Sequence, residues 1–274
     1  MQHKLHRRAL LAGGVAGAIA WSARALPASG QQGGAEQGFA IAQRSDVSDN
    51  GFHDSVATLR MTLSNANGVE SERQLEIRTL ERAGPDVGDN SLALFSAPAD
   101  IDGTALLSHA RLIEPDDQWL YLPALHRVRR IASVNKSGPF VGSEFAFEDF
   151  TGQELGKFRY NFLRMEDLEG IACDVIERFP LYEHSGYNRQ IVWIDQPTAQ
   201  FRKIEFYDRG DQHLKTLVLD QYEQFENKYW RALRLRMENR PTNKSTVLTF
   251  SDLRFGTDLT EADFVRIMTE PENA

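Results

Sequence analysis

The chain has 274 residues, with 31 Lys+Arg against 39 Asp+Glu, a formal net charge of −8 and 41% hydrophobic residues. So acidic a chain repels phosphate backbones and anionic surfaces, which argues against nucleic acid as a partner. Its single cysteine, Cys173, excludes an intramolecular disulfide.

Residues 1–25 read as a cleavable signal peptide. Lys4, Arg7 and Arg8 make a basic head, Ala9–Trp21 a short apolar run, and Ala23-Arg24-Ala25 the small-x-small pattern that a signal peptidase cleaves. The run is too short and too rich in glycine for a spanning helix, which needs about 20 apolar residues. Arg7-Arg8 before an apolar pair also resembles a twin-arginine signal, so export by either the Sec or the Tat route fits. No later stretch is apolar enough to span a bilayer, and the mature chain is expected in the periplasm. Cleavage removes Lys4, Arg7, Arg8 and Arg24 and no acid, leaving 27 basic against 39 acidic residues, a net charge of −12. Ser29–Gly38 has almost no core-forming side chains, so residues 26–38 read as a flexible leader and 39–274 as one folded domain.

Within that domain the dominant period is two. A short helix is expected over Phe39–Ser45. Asn65-Ala66-Asn67-Gly68 is a hairpin signal between the alternating runs Thr58–Ser64 and Ser71–Glu81. Cys173 lies in the strand-like Gly170–Ile176 and is expected to be a buried core thiol. Ser143–Gln153 with Leu155–Gly156 reads as an irregular loop or another short helix. Ile191–Ile194, Phe201–Asp208, Leu214–Phe225, Tyr229–Glu238 and Ser245–Phe255 are strand-length runs rich in β-branched and aromatic residues. Thr260-Glu261-Ala262-Asp263 is a helix N-cap with an acidic first turn. The fold class is mainly β, with about ten or eleven antiparallel strands and few helices. Leu233, Leu235 and Met237 share one face of their run while Arg234, Arg236 and Glu238 share the other. A sheet with one greasy face and little helix to cover it leaves room for a ligand cavity.

Catalytic chemistry is hard to find. His53, His109, His126, His184 and His213 are isolated, without metal-ligand spacing, and no cofactor motif occurs. Asp100-Ile101-Asp102-Gly103 lacks the later Glu of a calcium loop and reads as a turn before a strand. Glu148-Asp149 is the one acidic pair in an aromatic stretch. Neighbours on an extended chain point opposite ways, so pairing with the basic run Arg127-Val128-Arg129-Arg130 is favoured over acid/base catalysis.

Four blocks in order carry a family resemblance. They are Asp49–Asp54 with Met61-Thr62-Leu63 and Asn67-Gly68; Phe95–Leu106; Gln118–Ala124 with Arg127–Ile131; and Phe140–Phe145 followed by Glu148-Asp149. Together they resemble the bacterial outer-membrane lipoprotein-sorting proteins, relatives of the periplasmic carrier LolA, from about residue 40 onward. The resemblance implies a strongly curved antiparallel sheet, an unclosed half-barrel with helices as a lid. It implies lipid or lipoprotein acyl chains as ligand and an inner-membrane RND-type transporter as a partner; neither a cofactor nor a catalytic residue is expected. The chain departs from LolA in an inserted aromatic-rich region near Pro139–Tyr160.

Candidates for lining the hollow are Trp119, Tyr121, Phe140, Phe145, Phe147, Phe158, Tyr160, Trp193 and Phe206, with Leu217, Leu219, Leu233, Leu235, Met237, Leu248 and Phe250. Phe150, Phe162 and Trp230 belong to the same aromatic set. Arg127, Arg129, Arg130, Gly142, Ser143, Glu148 and Asp149 are motif residues with structural roles. The expected function is a periplasmic carrier. An envelope sensor built on the same half-barrel is the alternative, and an enzyme acting on envelope lipids or glycans through Ser143, Glu148 and Asp149 is a lesser one.

Overall fold

A computed structural model describes residues 29–269, apart from Ala83, Pro85 and Gln153. The expected signal peptide therefore lies outside the described residues. Helix α1 spans Ser29–Asp49. The first six strands follow: β1 Asp54–Ser64, β2 Glu70–Leu80, β3 Asn90–Ala97, β4 Ala105–His109, β5 Asp117–Leu122 and β6 Arg127–Arg130. Seven more run to the C-terminal region: β7 Phe158–Leu168, β8 Ile171–Pro180, β9 Tyr187–Asp195, β10 Phe201–Asp208, β11 His213–Phe225, β12 Tyr229–Asn239 and β13 Lys244–Phe255. Helix α2 covers Glu261–Thr269.

All thirteen strands form one antiparallel sheet, ordered β6-β5-β4-β3-β2-β1-β13-β12-β11-β10-β9-β8-β7, against the ten or eleven expected from the alternation. The surplus includes β6, four charged or exposed residues on which a two-residue period cannot register. The sheet is two meanders fused where β1 pairs with β13. Its edges, β6 and β7, do not meet, so the half-barrel stays open. Segment 131–157, hereafter the strap, runs from one edge to the other through four short 3-10 turns, including Phe147–Phe150 and Leu155–Lys157.

Turn chemistry sets the pairing. Asn65 Oδ1 accepts the N–H groups of Asn67 and Val69 at 2.9 and 3.0 Å, and Gly68 takes φ +75°. That fixes an unbroken β1–β2 register from Asp54↔Leu80 to Ser64↔Glu70. At α2, Asp263 Oδ2 accepts from the Thr260 N–H and hydroxyl at 2.8 Å, the cap expected there.

Alternation sorts side chains between two faces. The inner face holds the main core, with Leu59, Met61, Leu75, Phe95, Phe140, Ile176, Ile194, Met237 and Leu248 almost fully buried. Each such side chain contributes about 1.5–3 kcal/mol of hydrophobic burial. Two smaller clusters lie on the outer face. One gathers Leu92, Leu107 and Tyr121 around Phe264 of α2, and the other is Cys173, Val175 and Trp193. Cys173 is indeed a buried thiol.

The expected flexible leader is a correction. Ser29–Gly38 is the first half of α1, and the helix expected over Phe39–Ser45 is its middle. Glycine in a helix costs about 1 kcal/mol relative to alanine, so composition alone argues against helix here. Docking compensates. A Cβ on Gly38 would stand 2.7–2.9 Å from the backbone of Asn161 and Phe162 in β7, and one on Gly34 2.6 Å from Asn161 Oδ1. The glycines allow α1 to lie against the sheet edge, and Ile41 and Ala42 then join the inner core.

Candidate ligand-binding site

The inner core does not fill the half-barrel. A hollow of about 790 Å³ lies between α1, the strands around the β1–β13 junction and the end of the strap. Its apolar wall comes from Ala42, Ala57, Ile77, Ile176, Leu219, Leu235, Phe250 and Leu253, with Tyr160, Phe201, Tyr222 and Trp230 adding aromatic surface. Its polar lining comes mostly from helix and strand ends: Asp46, Asp49, Glu81, Asp89 and Glu154 against Arg82, Arg178 and Arg231.

That end is short of positive charge. Asp49 pairs with Arg231, and Glu81 accepts the N–H groups of Gly51 and His53 at 2.6 Å. Asp89 and Glu154 have no ion pair among the described residues. Burial, then the nearby Glu154 and Glu81, pushes the Asp89 carboxyl up to about 7, and burial raises Glu154 and Asp46 too. Arg178 is buried in the wall. Its Nε donates to Gln190 Oε1 at 2.7 Å, and its guanidinium lies 4.4 Å over the Phe158 ring. Burial lowers its pKa from the ordinary arginine range.

The expected lining residues divide four ways. Tyr160, Leu219, Leu235 and Phe250 line the hollow, as does Trp230. Phe140, Phe145, Phe147, Phe158, Phe162, Phe206, Leu217, Met237 and Leu248 pack in or against the inner core. Trp119, Tyr121 and Trp193 are corrections, for they face outward. Trp119 and Tyr121 share a face, as their spacing requires, but it is the face under α2. Trp193 Nε1 donates to Glu166 Oε1 at 3.1 Å, and Lys203 lies 4.1 Å over its ring. Leu233 joins no core cluster and does not line the hollow. Gln221, opposite it, takes φ +54°, and the alternation changes phase there. Inward residues are therefore Leu217, Leu219 and Tyr222 on β11, and Met237, Leu235, Ala232 and Trp230 on β12. Tyr222 is hidden from the sequence by that phase change, and Asp46 and Asp49 because they lie past the helix expected over Phe39–Ser45, on the last turn of α1 where it borders the hollow.

The sequence model of a family described as uncharacterized protein matches residues 88–267. An outer-membrane lipoprotein-sorting protein domain of Vibrio parahaemolyticus, solved by crystallography, is 49% identical over 84% of this chain and 97% of its own, with a TM-score of 0.81. The chain belongs to the outer-membrane lipoprotein-sorting family. A DUF1329 family protein of Desulfovibrio piger is similar at 29% identity, TM-score 0.79, over 84% of this chain and 97% of that one. A LolA superfamily protein of Nitrosomonas europaea, 20% identical with TM-score 0.66 over 82% and 96%, shares the fold. A comparison with curated proteins found no match.

In this member of the family three of the motif blocks meet at the strap, where Phe95 packs against Phe140 and Gln118 Nε2 donates to the Phe147 carbonyl at 3.0 Å. Val141 and Gly142 both take positive φ, and Ser143 Oγ donates to the Phe140 carbonyl at 2.7 Å. That turn inserts Phe140 and Phe145 into the inner core. The Phe140 ring lies, tilted, 4.3 Å from that of Phe150 and 5.6 Å from that of Phe95. Ion pairs and hydrogen bonds fasten the rest. Lys157 pairs with Asp116, whose carbonyl accepts from Lys136, and Lys215 Nζ lies 2.6 Å from Asp149. Asp149 also accepts from Ala146 N–H and the Tyr187 hydroxyl, both at 2.7 Å. Glu148 accepts from Gly186 N–H at 3.1 Å and Ser185 Oγ at 3.2 Å. The expected pairing of Glu148 and Asp149 with the arginine run is thus a correction. Arg130 pairs with Asp117, beside Arg111, while Arg127 and Arg129 stand exposed on edge strand β6 with no ion pair among the described residues. The Lys215 ammonium and the Ser185–Gly186 turn are nearer and already buried, so the carboxylates go to them.

Proposed function

We propose that the chain is a periplasmic carrier that holds lipid, or the acyl chains of a lipoprotein, in the hollow on the inner face of the sheet. The hollow of about 790 Å³ with an apolar wall carries this reading. Pockets of this size and character bury most of a small apolar ligand, and each buried CH₂ is worth about 0.8 kcal/mol. The 49% identity to the Vibrio domain supports it at the family level. Residues 1–25 are proposed to direct export and then to be removed. Release into a membrane needs no nucleotide, only a higher affinity at the destination. An inner-membrane RND-type exporter is the proposed partner in that exchange. A non-catalytic role is supported by Glu148, Asp149 and Ser143, whose side chains hold the strap in place.

Native mass spectrometry of mature protein taken from the periplasm, followed by solvent extraction, tests the reading. A co-purifying lipid or acylated peptide is the expected result. A bare mass that stays unchanged after incubation with envelope lipids would sink it.

A further inference from the structure

The strap roofs a second space. A chamber of about 250 Å³ lies between Phe150–Gly152 and strands β2–β4. Its walls are mostly apolar, from Ala93, Leu106, Ala110 and the Phe150 ring. Ile77, Thr79, Asp89 and Gly152 line both this chamber and the main hollow, so the two spaces adjoin. Around that border the chain passes close to itself. A Cβ on Gly152 would stand 2.9 Å from the Ala110 Cβ, and one on Gly88 2.8 Å from the same atom. Larger side chains at these three positions would crowd the passage. Protein interiors pack densely and leave few voids larger than a water molecule, because lining atoms lose partners on one side. A mostly apolar space of this size adjoining a ligand hollow is therefore suited to ligand rather than to packing.

We propose that the chamber beneath Phe150 is a second acyl subsite, so that the preferred ligand is an amphiphile with two hydrocarbon chains, one in each space. This rests on the carrier reading and deepens it. The chains would diverge at the shared border, beside Thr79 and Asp89. A free fatty-acid carboxylate placed there would add a third acid beside Asp89 and Glu154, which have no ion pair among the described residues and whose carboxyls burial already raises, and so would be disfavoured. A neutral ester linkage between two chains would not.

The test compares phosphatidylcholine with lysophosphatidylcholine of the same chain length, which share a headgroup and differ in chain number. Short-chain homologues of both are added below their critical micelle concentrations to the mature protein, and binding is titrated. The wild type should bind the two-chained lipid at least about tenfold more tightly, the gain from burying as few as two further methylenes. Ala93→Phe and Ala110→Leu, which fill the chamber, should remove that preference and leave the single-chained lipid bound as before. Leu219→Trp, which fills the main hollow, should weaken both. Equal binding of the two lipids by wild type, or a preference that survives both filled variants, overturns the subsite. Wild type that binds neither lipid overturns the carrier reading itself. Should neither filled variant fold, a crystal of the wild-type complex decides, by showing or lacking a chain beneath Phe150.

Discussion

The Lys215 ammonium on β11 lies 2.6 Å from the Asp149 carboxylate on the strap, with both side chains almost wholly buried. Lys215 also donates to the Glu144 carbonyl at 3.0 Å. The pair ties the strap to the second meander in a place where water cannot replace either partner. Lys215→Met should therefore cost about 3–5 kcal/mol, because it strands a buried carboxylate. Lys215→Met combined with Asp149→Leu should cost less than the sum of the single changes. Chemical denaturation of the four proteins in a double-mutant cycle measures the coupling, and additive losses would show the pair to be independent.

Glu148 gives the fold a pH dependence of defined sign. Burial, then the neighbouring Asp149, pushes its carboxyl from the ordinary 4.5 up to about 7. Between those values the folded chain holds a proton that the unfolded chain releases, so its contribution to stability is full below about pH 4.5 and is lost as pH rises through about 7. Glu148→Gln keeps the proton-like donor and should flatten that part of the profile. Urea midpoints from pH 4.5 to 8 for the two proteins test it; parallel profiles would refute the assignment.

Helix α1 owes its seat to Gly38. Gly38→Leu forces a side chain into the backbone of Asn161 and Phe162. The expected cost is about 1–3 kcal/mol, as for other overpacked contacts. Hydrogen exchange should speed up in α1 while strands β11–β13 keep their protection. A loss spread evenly over the sheet would show that α1 is not a separate layer.

Face decides which aromatics matter for ligand. Trp193→Ala should lower stability but leave lipid uptake unchanged, since Trp193 packs outward with Cys173 and Val175. Leu235→Arg should abolish uptake by placing a charge in the hollow wall. Fluorescent-lipid displacement with both variants measures this, and a Trp193→Ala variant defective in uptake would move the site.

Cys173 should be inert. Burial holds its thiol up at about 11, and the thiolate is the reactive form. Alkylation by iodoacetamide should be negligible in the native protein and complete in urea. Rapid native labelling would mean that the outer β8–β9 layer opens.

Much of the sheet was legible in the residues. Asn65–Gly68 marked the β1–β2 hairpin, and alternation placed Leu235 and Met237 on the same inward face, because a strand's period of two is read directly from its side chains. Which face of Trp119 and Tyr121 meets the hollow was not legible, for alternation separates two faces without saying which one α2 covers. Leu233 was misassigned for a local reason, the left-handed backbone at Gln221 that shifts the phase. The helical start of α1 was hidden because its glycines serve a contact with β7, a partner far away in sequence. The partners of Glu148 and Asp149 were hidden likewise, for Ser185 and Lys215 become neighbours only when the strap crosses from edge to edge.

The pairing of β1 with β13 sets a condition on how this protein comes to be. Ser64 lies opposite Ser245, so the strand that begins the first meander has no lasting neighbour on that side until the other end of the chain arrives. Contacts this distant in sequence form slowly, since a long loop must close before they reward it. Until then β1 is a bare edge, open to strands of other chains. A molecule emerging N-terminus first through a membrane pore would pass through that exposed stage every time, and a chaperone that caps β1 would shield it until β13 emerges.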